Sequence, residues 1–349
     1  MVKTGDLMKN SKKAAIIGFG GMGQRHYKAY QKIGVEVVAI ADLLSDKIRE
    51  IVPEFSADGV YKDFRDVIRR DDIDIISIVT NGPTHAPFTI AASDAGIKNI
   101  MCEKPMATRL SDAQAIIDTA RKNRTRVAVN HTRRHSTTYA RLRELIRGGV
   151  IGDIRHIYFH CGSTGIGNHA IHFFDTARLL TGSEPEWAVG FLDKTGTPNP
   201  RGKQFIDPGG YGIIQFRNGT RFMFDMSEDT GVQYTFQIAG TYGRIIIDEL
   251  NDEWMIRARN GELRKLPLTR YGSDMEKIPF ASDGPFDIVD LTSRGLEELV
   301  SGKPVSCTPE DGKKSLEMVT ALHLSDEAGN TRIGFPLIGA ALDKEVRIA

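Results

Sequence analysis

KAAIIGFGGMG, residues 13–23, is the stretch that decides the fold. Its first half, residues 13–18, is a short apolar run that enters a glycine turn. Gly18, Gly20 and Gly23 fit the spacing G-x-G-x-x-G, with Phe19, Gly21 and Met22 between them. The spacing acquires meaning when it ends a strand and opens a helix, and residues 23–33 carry that helical character. The first glycine permits the tight turn, the second lets the backbone approach a pyrophosphate, and the third lets helix and strand pack closely. The N-terminus of the following helix offers N–H groups and the positive end of its dipole to phosphates. A second apolar run, VEVVAIA at residues 35–41, leads to Asp42, 19 residues past Gly23. A carboxylate there accepts hydrogen bonds from an adenosine ribose diol and repels a 2′-phosphate. NAD is therefore the expected cofactor, with NADP left open by basic neighbours such as Lys47.

The alternation continues outward from this stretch. Residues 63–70 read as a helix and DIISIVT, residues 74–80, as a buried strand before a turn at Asn81-Gly82-Pro83. Residues 87–95 read as a helix, 99–102 as a strand, 111–123 as a capped helix and 126–130 as a strand. Continuous apolar strands separated by helices indicate a doubly wound parallel sheet covered on both faces, a Rossmann arrangement. After about residue 150 strand follows strand, at residues 155–161, 187–192, 212–216, 220–226, 234–239 and 244–248. Turn signals such as Asn218-Gly219 separate several of them, so a large, mainly antiparallel sheet is expected. One helix interrupts it near residues 169–180, and helices return at 285–300 and 310–328.

With 349 residues the chain exceeds one ordinary core. Two domains are read: a dinucleotide-binding domain at 1–130, and an α+β substrate-binding and oligomerisation domain at 131–349 whose C-terminal helix is expected to pack back on the first. Lysine and arginine total 46 against 45 acidic residues, a balance that gives no reason to expect nucleic acid or an acidic membrane surface as partner. Cys102, Cys161 and Cys307 form no CxxC pair and suit a reducing compartment. The first thirteen residues lack an apolar core of the signal-peptide kind, and no run approaches the ~18 apolar residues of a membrane span. A cytoplasmic protein is expected.

Two clusters carry candidate chemistry. Glu103-Lys104-Pro105 closes the strand at residues 99–102, and strand carboxyl ends line the ligand crevice of such a sheet. Pro105 disfavours helical geometry at Lys104. A lysine there can donate to a substrate hydroxyl and stabilise alkoxide charge; equally, it can be a surface lysine before a turn proline. The second cluster is NHAIHFFD, residues 168–175. On one helix His172 and Asp175 share a face, and His169 lies one turn before His172. A histidine in a cleft accepts the proton of an alcohol at neutral pH, whereas the plainer reading is a histidine that caps or packs a helix. His156, His160, His169 and His172 do not converge in spacing, and no carboxylate pattern completes them, so no metal is expected.

Taken together these motifs resemble the Gfo/Idh/MocA group, the glucose–fructose oxidoreductase, inositol dehydrogenase and rhizopine-catabolism proteins. The resemblance runs from the Gly18 turn through residues 74–80 and His85 to Glu103-Lys104-Pro105. It continues through Arg133-Arg134 with Tyr139, residues 148–152, His172-x-x-Asp175 leading to Leu179-Leu180-Thr181-Gly182, Gly240-x-x-Gly243 and Ser301-Gly302-Lys303-Pro304. It implies a Rossmann domain followed by an open-faced antiparallel sheet that commonly forms a homodimer or homotetramer. It implies hydride transfer between NAD(P) and a secondary alcohol or carbonyl of a sugar, cyclitol or sugar nucleotide. Thr80, Asn81, His85, Glu103 and Lys104 join the glycine loop and Asp42 as implied cofactor contacts. Lys104 matches the family's catalytic lysine and His172 its histidine. Asn168 and Arg133 are the implied substrate contacts. Family members often carry Asp at the position of Asn168, and an amide can orient a hydroxyl without accepting its proton. That departure keeps alive a second reading, a catalytically silent dinucleotide-binding sensor or scaffold of the same fold.

Overall fold

Strands that are apolar on both faces form the middle of a parallel sheet. In a computed structural model, which describes residues 12–162, 165–196, 198–199, 201–268 and 274–348, six such strands lie side by side. Most of the polar leading segment therefore falls outside the described residues. The strands are β1 (Lys13–Ile17), β2 (Glu36–Ala41), β3 (Val60–Tyr61), β4 (Ile75–Ile78), β5 (Asn99–Cys102) and β6 (Arg126–Val129), in the order β3-β2-β1-β4-β5-β6 and all parallel. β4, IISI, is buried at every position, as a strand covered on both faces must be. Helices α1 (Gly21–Lys32), α2 (Ile48–Ile51), α3 (Phe64–Ile68), α4 (Gly82–Asp94) and α5 (Leu110–Asn123) make the connections. The strand order reverses between β1 and β4, and an open α/β sheet takes its ligand outside the carboxyl ends of the strands at such a switch point.

Two local expectations change. Asn81-Gly82-Pro83 begins α4 instead of forming a separate turn, with Asn81 as N-cap. A proline in the first helical turn gives up an N–H that has no partner within the helix. The cap of α5 is Arg109, with no side-chain hydrogen bond, so Ser111 does not cap that helix.

The chain divides into two compact units, Met1–His135 with Asp287–Lys313, and Ser136–Phe286 with Lys314–Ala349. The returning segment supplies the first unit with the helix Ile288–Val300, whose Leu296 and Leu299 share a core with Ala29 and Tyr30 of α1.

The second unit holds a nine-stranded sheet. Its strands are β7 (Ile154–His160), β8 (Pro185–Leu192), β9 (Gly210–Phe216), β10 (Arg221–Met226), β11 (Thr235–Gly240), β12 (Gly243–Asp248), β13 (Glu253–Ala258), β14 (Glu276–Ile278) and β15 (Ile333–Gly334). All pairings are antiparallel except β7 with β10. Alternation sends Phe159, Phe222, Phe224 and Phe236 to one buried face. The helices of this unit begin with α6 (Thr137–Arg147) and α7 (Ile171–Thr181). Phe173 of α7 stacks on Phe159 at 3.8 Å, and Phe174 meets the edges of Phe222 and Phe224. Truncating such a ring typically costs about 3–5 kcal/mol. Ile288–Val300 is α8 in chain order, and α9 (Pro309–Glu327) follows it. Among the described residues no helix is long and apolar enough to cross a membrane.

Candidate active site

The glycine loop is explained by close approach. Gly18 has φ +95°, and a Cβ there would lie 2.6 Å from the Val79 carbonyl oxygen. A Cβ on Gly23 would lie 2.2 Å from the Gly18 carbonyl oxygen, so α1 can meet β1 only through glycine. Gly20 and Gly21 have nothing within 4 Å of their Cβ positions. Gly20 is the N-cap of α1, no side chain caps it, and the first turn holds no acidic residue. Phe19 packs inward, edge-on to Tyr27. Met22 packs against the core of the first unit. The backbone N–H groups at the start of α1 are thus presented to an anion.

A cavity of about 990 Å³ opens on this loop, lined by Gly18, Gly20, Asp42, Thr80, Asn81 and Thr84, with Leu43, Leu44, Phe64 and Phe88 among its apolar residues. Phe64 and Phe88 stack at 3.9 Å, a pair the sequence pattern alone did not join. Asp42 sits at the carboxyl end of β2 and is fixed by two amides. Phe19 N donates to its Oδ2 at 2.7 Å, and Leu44 N to its Oδ1 at 2.8 Å. Lys62 and Arg65 are the basic residues that line the cavity; Lys47 is not among them. Arg65 is engaged by Asp63, whose carboxyl it holds down at about 2 chiefly through side-chain hydrogen bonds.

The ends of β4 and β5 are tied together behind the cavity. Thr84 Oγ1 donates to Thr80 Oγ1 at 2.7 Å. His85 is buried, with Nδ1 2.7 Å from the Pro105 carbonyl and Nε2 2.9 Å from the Thr80 carbonyl. Burial pushes its imidazolium below the ordinary histidine value, against the pull of the two carbonyls. A neutral ring donates to one of them. The Lys104–Pro105 peptide is cis. Glu103 turns its side chain inward and is 4 % exposed. Arg133 is buried in the short 3-10 turn Thr132–His135 that follows β6.

In the second unit the helix expected over residues 169–180 is two pieces. Ile166–Ala170 form a π-turn, and α7 begins at Ile171. Its start is held by a residue that sequence reasoning missed. Asp207 accepts from Gly167 N through Oδ1 and from Asn168 N through Oδ2, both at 2.7 Å. Asp207 lies 39 residues from Asn168 in the chain, beyond the reach of local pattern. His169 is packed among rings, edge-on to Phe159, Phe173 and Tyr234, with Nδ1 3.9 Å from Cys161 Sγ. His172 is half-buried in the first turn of α7. The Asp175 carboxylate is buried, 3.4 Å from Ser315 Oγ and 3.8 Å from Arg178 Nη1.

Residues 12–131 match the family model described as "Oxidoreductase family, NAD-binding Rossmann fold", and residues 139–246 match a GFO/IDH/MocA C-terminal domain. An inositol 2-dehydrogenase of Gluconacetobacter diazotrophicus is 32% identical over 296 residues, 80% of this chain and 84% of the relative. A myo-inositol 2-dehydrogenase of Thermotoga maritima is 23% identical over 87% of this chain and 93% of its own length. Among solved structures, a levoglucosan dehydrogenase in complex with NADH and levoglucosan superposes with a TM-score of 0.78 at 21% identity, covering 94% of this chain and all of that one.

Proposed function

Because the chain belongs to the Gfo/Idh/MocA family of NAD-binding oxidoreductases acting on CH–OH groups, we propose that it oxidises a secondary alcohol of a cyclitol or sugar with NAD. The observation that carries this reading is the similarity to inositol 2-dehydrogenases along most of the chain, combined with a glycine-loop cavity lined by Asp42. The open Gly20 position and the uncapped start of α1 fit a pyrophosphate, and Asp42 fits a ribose diol better than a 2′-phosphate. Gly18, Phe19, Gly20, Gly21, Met22 and Gly23 would hold the phosphates by backbone, with Thr80 and Asn81 along the cavity wall. His85, Glu103 and Lys104 would shape the turn beside them. Bound NAD supplies the hydride acceptor.

The chain's own groups handle the proton. His172 takes it from the substrate hydroxyl as general base. Lys104 donates to a substrate oxygen and stabilises the charge that develops there. Asn168, fixed at its backbone by Asp207, orients a neighbouring hydroxyl, and Arg133 assists in substrate binding. A cytoplasmic location is part of the same proposal, in keeping with three cysteines far apart in sequence and without a CxxC pair.

The open face of the nine-stranded sheet supports a homodimer or homotetramer. Registered neighbours Val189, Ile213, Met223 and Tyr158 form an apolar row across β8, β9, β10 and β7. Ile213 remains 38 % exposed, Tyr211 48 % and Phe191 37 %. An apolar sheet face of this kind marks an interface. The activity test is a panel of inositols, free sugars and sugar nucleotides with NAD and NADP, read by reduced-nicotinamide absorbance. Turnover of a cyclitol or sugar is expected; cofactor binding with no turnover across the panel overturns the reading in favour of a sensor.

A further inference from the structure

Beneath the turn that carries Lys104 lies a buried polar chain that the proposed reaction does not use. His26, on the buried face of α1, has Nε2 3.0 Å from Glu103 Oε1 and Nδ1 3.0 Å from Ser77 Oγ. Ser77 Oγ lies 2.8 Å from the Tyr30 hydroxyl. Asn130 Nδ2 donates to Glu103 Oε1 at 2.7 Å and to Thr292 Oγ1 at 3.2 Å. The other carboxylate oxygen, Glu103 Oε2, lies 3.2 Å from the Lys104 backbone N–H. His26, Ser77, Tyr30 and Thr292 are wholly buried, Asn130 and Glu103 nearly so.

Burying six polar side chains is unfavourable unless each finds a partner, and a buried carboxylate is the costliest of them. Here the protons can be placed in one consistent way. Burial pushes the Tyr30 phenol up, so it keeps its proton and donates to Ser77. Ser77 donates to His26 Nδ1, and His26 Nε2–H donates to Glu103. The titratable groups facing Glu103 are His26 from α1, His85 from α4, and Cys102 and Lys104 beside it. Burial alone would push the Glu103 carboxyl up, but His26, Lys104 and Asn130 together outweigh it and hold it down at about 2. The side chain is therefore an anion on three donors: an imidazole, an amide and the backbone N–H of Lys104.

Such an arrangement exceeds what packing requires. An apolar residue at position 26 would fill the same stripe of α1 without burying a charge, and replacing a buried polar network by apolar groups is often neutral or favourable for stability. What the network supplies is a fixed negative charge and a fixed acceptor at the residue next to Lys104. The acceptor holds the backbone from which the lysine projects, and the charge favours the ammonium form that donates.

We infer that His26 and Asn130 are positioning residues: they clamp the Glu103 carboxylate, and the clamped carboxylate sets both the backbone and the charge of Lys104. This rests on the reading that Lys104 donates to the substrate oxygen.

The test uses the full chain, with NAD and the best substrate of the panel, myo-inositol being the first tried. His26→Leu and Asn130→Ala are each expected to lower kcat by ~10-fold or more, the scale of a lost electrostatic contribution, with KM and the NADH Kd within about 3-fold of wild type. His26→Gln, whose amide nitrogen can still donate to Glu103, is expected to recover at least about a third of wild-type kcat. A second readout needs no substrate. Limiting acetic anhydride at mildly alkaline pH, followed by mass spectrometry, measures how readily Lys104 is acylated. Glu103→Gln is expected to raise that labelling by about 3-fold or more, because a lost neighbouring anion frees the neutral amine. Wild-type kcat in both His26→Leu and Asn130→Ala, failure of His26→Gln to rescue, or unchanged labelling in Glu103→Gln overturns the inference. If His26→Leu does not fold, Asn130→Ala and the labelling carry the same decision. Lys104→Ala separates the two levels. Near-normal turnover there sinks the proposed role of Lys104 itself; an inactive Lys104→Ala beside a fully active His26→Leu sinks only the clamp.

Discussion

The backbone N–H of Phe19, inside the glycine loop, donates to Asp42 Oδ2 at 2.7 Å. The carboxylate proposed to select the cofactor is thereby fastened to the loop proposed to hold its phosphates. Each carboxylate oxygen has further lone-pair capacity, so the anchor leaves room for a ribose diol. Asp42→Ala removes the diol acceptor, the repulsion of a 2′-phosphate and the anchor of the loop. NADH affinity is expected to fall by ~10- to 100-fold, while NADPH affinity falls less or rises, since Lys62 and Arg65 line the same cavity. Calorimetry on wild type and variant reads both. Tighter NADPH than NADH binding in the wild type would remove Asp42 from its assigned role.

The sheet of the second unit makes a prediction about assembly. Ile213 stands in the middle of the exposed apolar row, between Val189 and Met223 in register. A carboxylate placed there would be desolvated in an interface and harmless on a free surface. Wild type is expected to be a dimer or tetramer in light scattering at micromolar concentration, and Ile213→Asp to dissociate it with little loss of Tm at high dilution. A monomeric wild type refutes the assembly.

A third prediction follows from His323, half-buried in α9. Burial pushes its imidazolium down to about 4, with Lys344 adding to the shift against the opposing carboxylates of Glu327 and Asp326. The folded state therefore holds the neutral ring, and protonation favours unfolding. The contribution is fully present above the ordinary value of 6.5 and is lost as pH falls from there to about 4. Over that window the loss is ~3 kcal/mol. Denaturant titrations of His323→Leu are expected to show a flatter dependence than wild type across this range. Parallel slopes would show that His323 is not the titrating group.

Much of the first unit was legible because two signals coincide there. The spacing of Gly18, Gly20 and Gly23 is local, and buried parallel strands read as uninterrupted apolar runs. The sheet of the second unit was legible where alternation is clean, as in β9 and β10. β13 was missed: EWMIRA puts three apolar residues in succession and lies near the sheet edge, with several positions part-exposed. The parallel pairing of β7 with β10 was equally hidden, because alternation fixes which face a residue takes and not which strand it meets. His26 sits three residues past Gly23 on the inner face of a helix, and only its partners, 51 and 77 residues away, mark it as more than a packed histidine.

The last prediction concerns the two histidines around the start of α7. A single helix would place His169 and His172 within about 60° of each other, so that either could reach the cleft. The π-turn at Ile166–Ala170 interrupts the regular step between them. His169 is accounted for by packing: three rings stand edge-on to it, and Cys161 Sγ lies within reach of Nδ1. Removing its ring leaves a hole in an aromatic cluster, which costs stability more than chemistry. His172 comes after the interruption, half-buried in the first turn of the regular helix, and is the residue proposed as the base. His172→Ala is therefore expected to lose most turnover and to flatten the acid limb of the pH–rate profile, because a base must be unprotonated to act. His169→Ala is expected to lower Tm while keeping at least about a tenth of wild-type kcat. The reverse order, with His169→Ala inactive at unchanged Tm and His172→Ala active, would transfer the base to His169 and make the π-turn the element that delivers it.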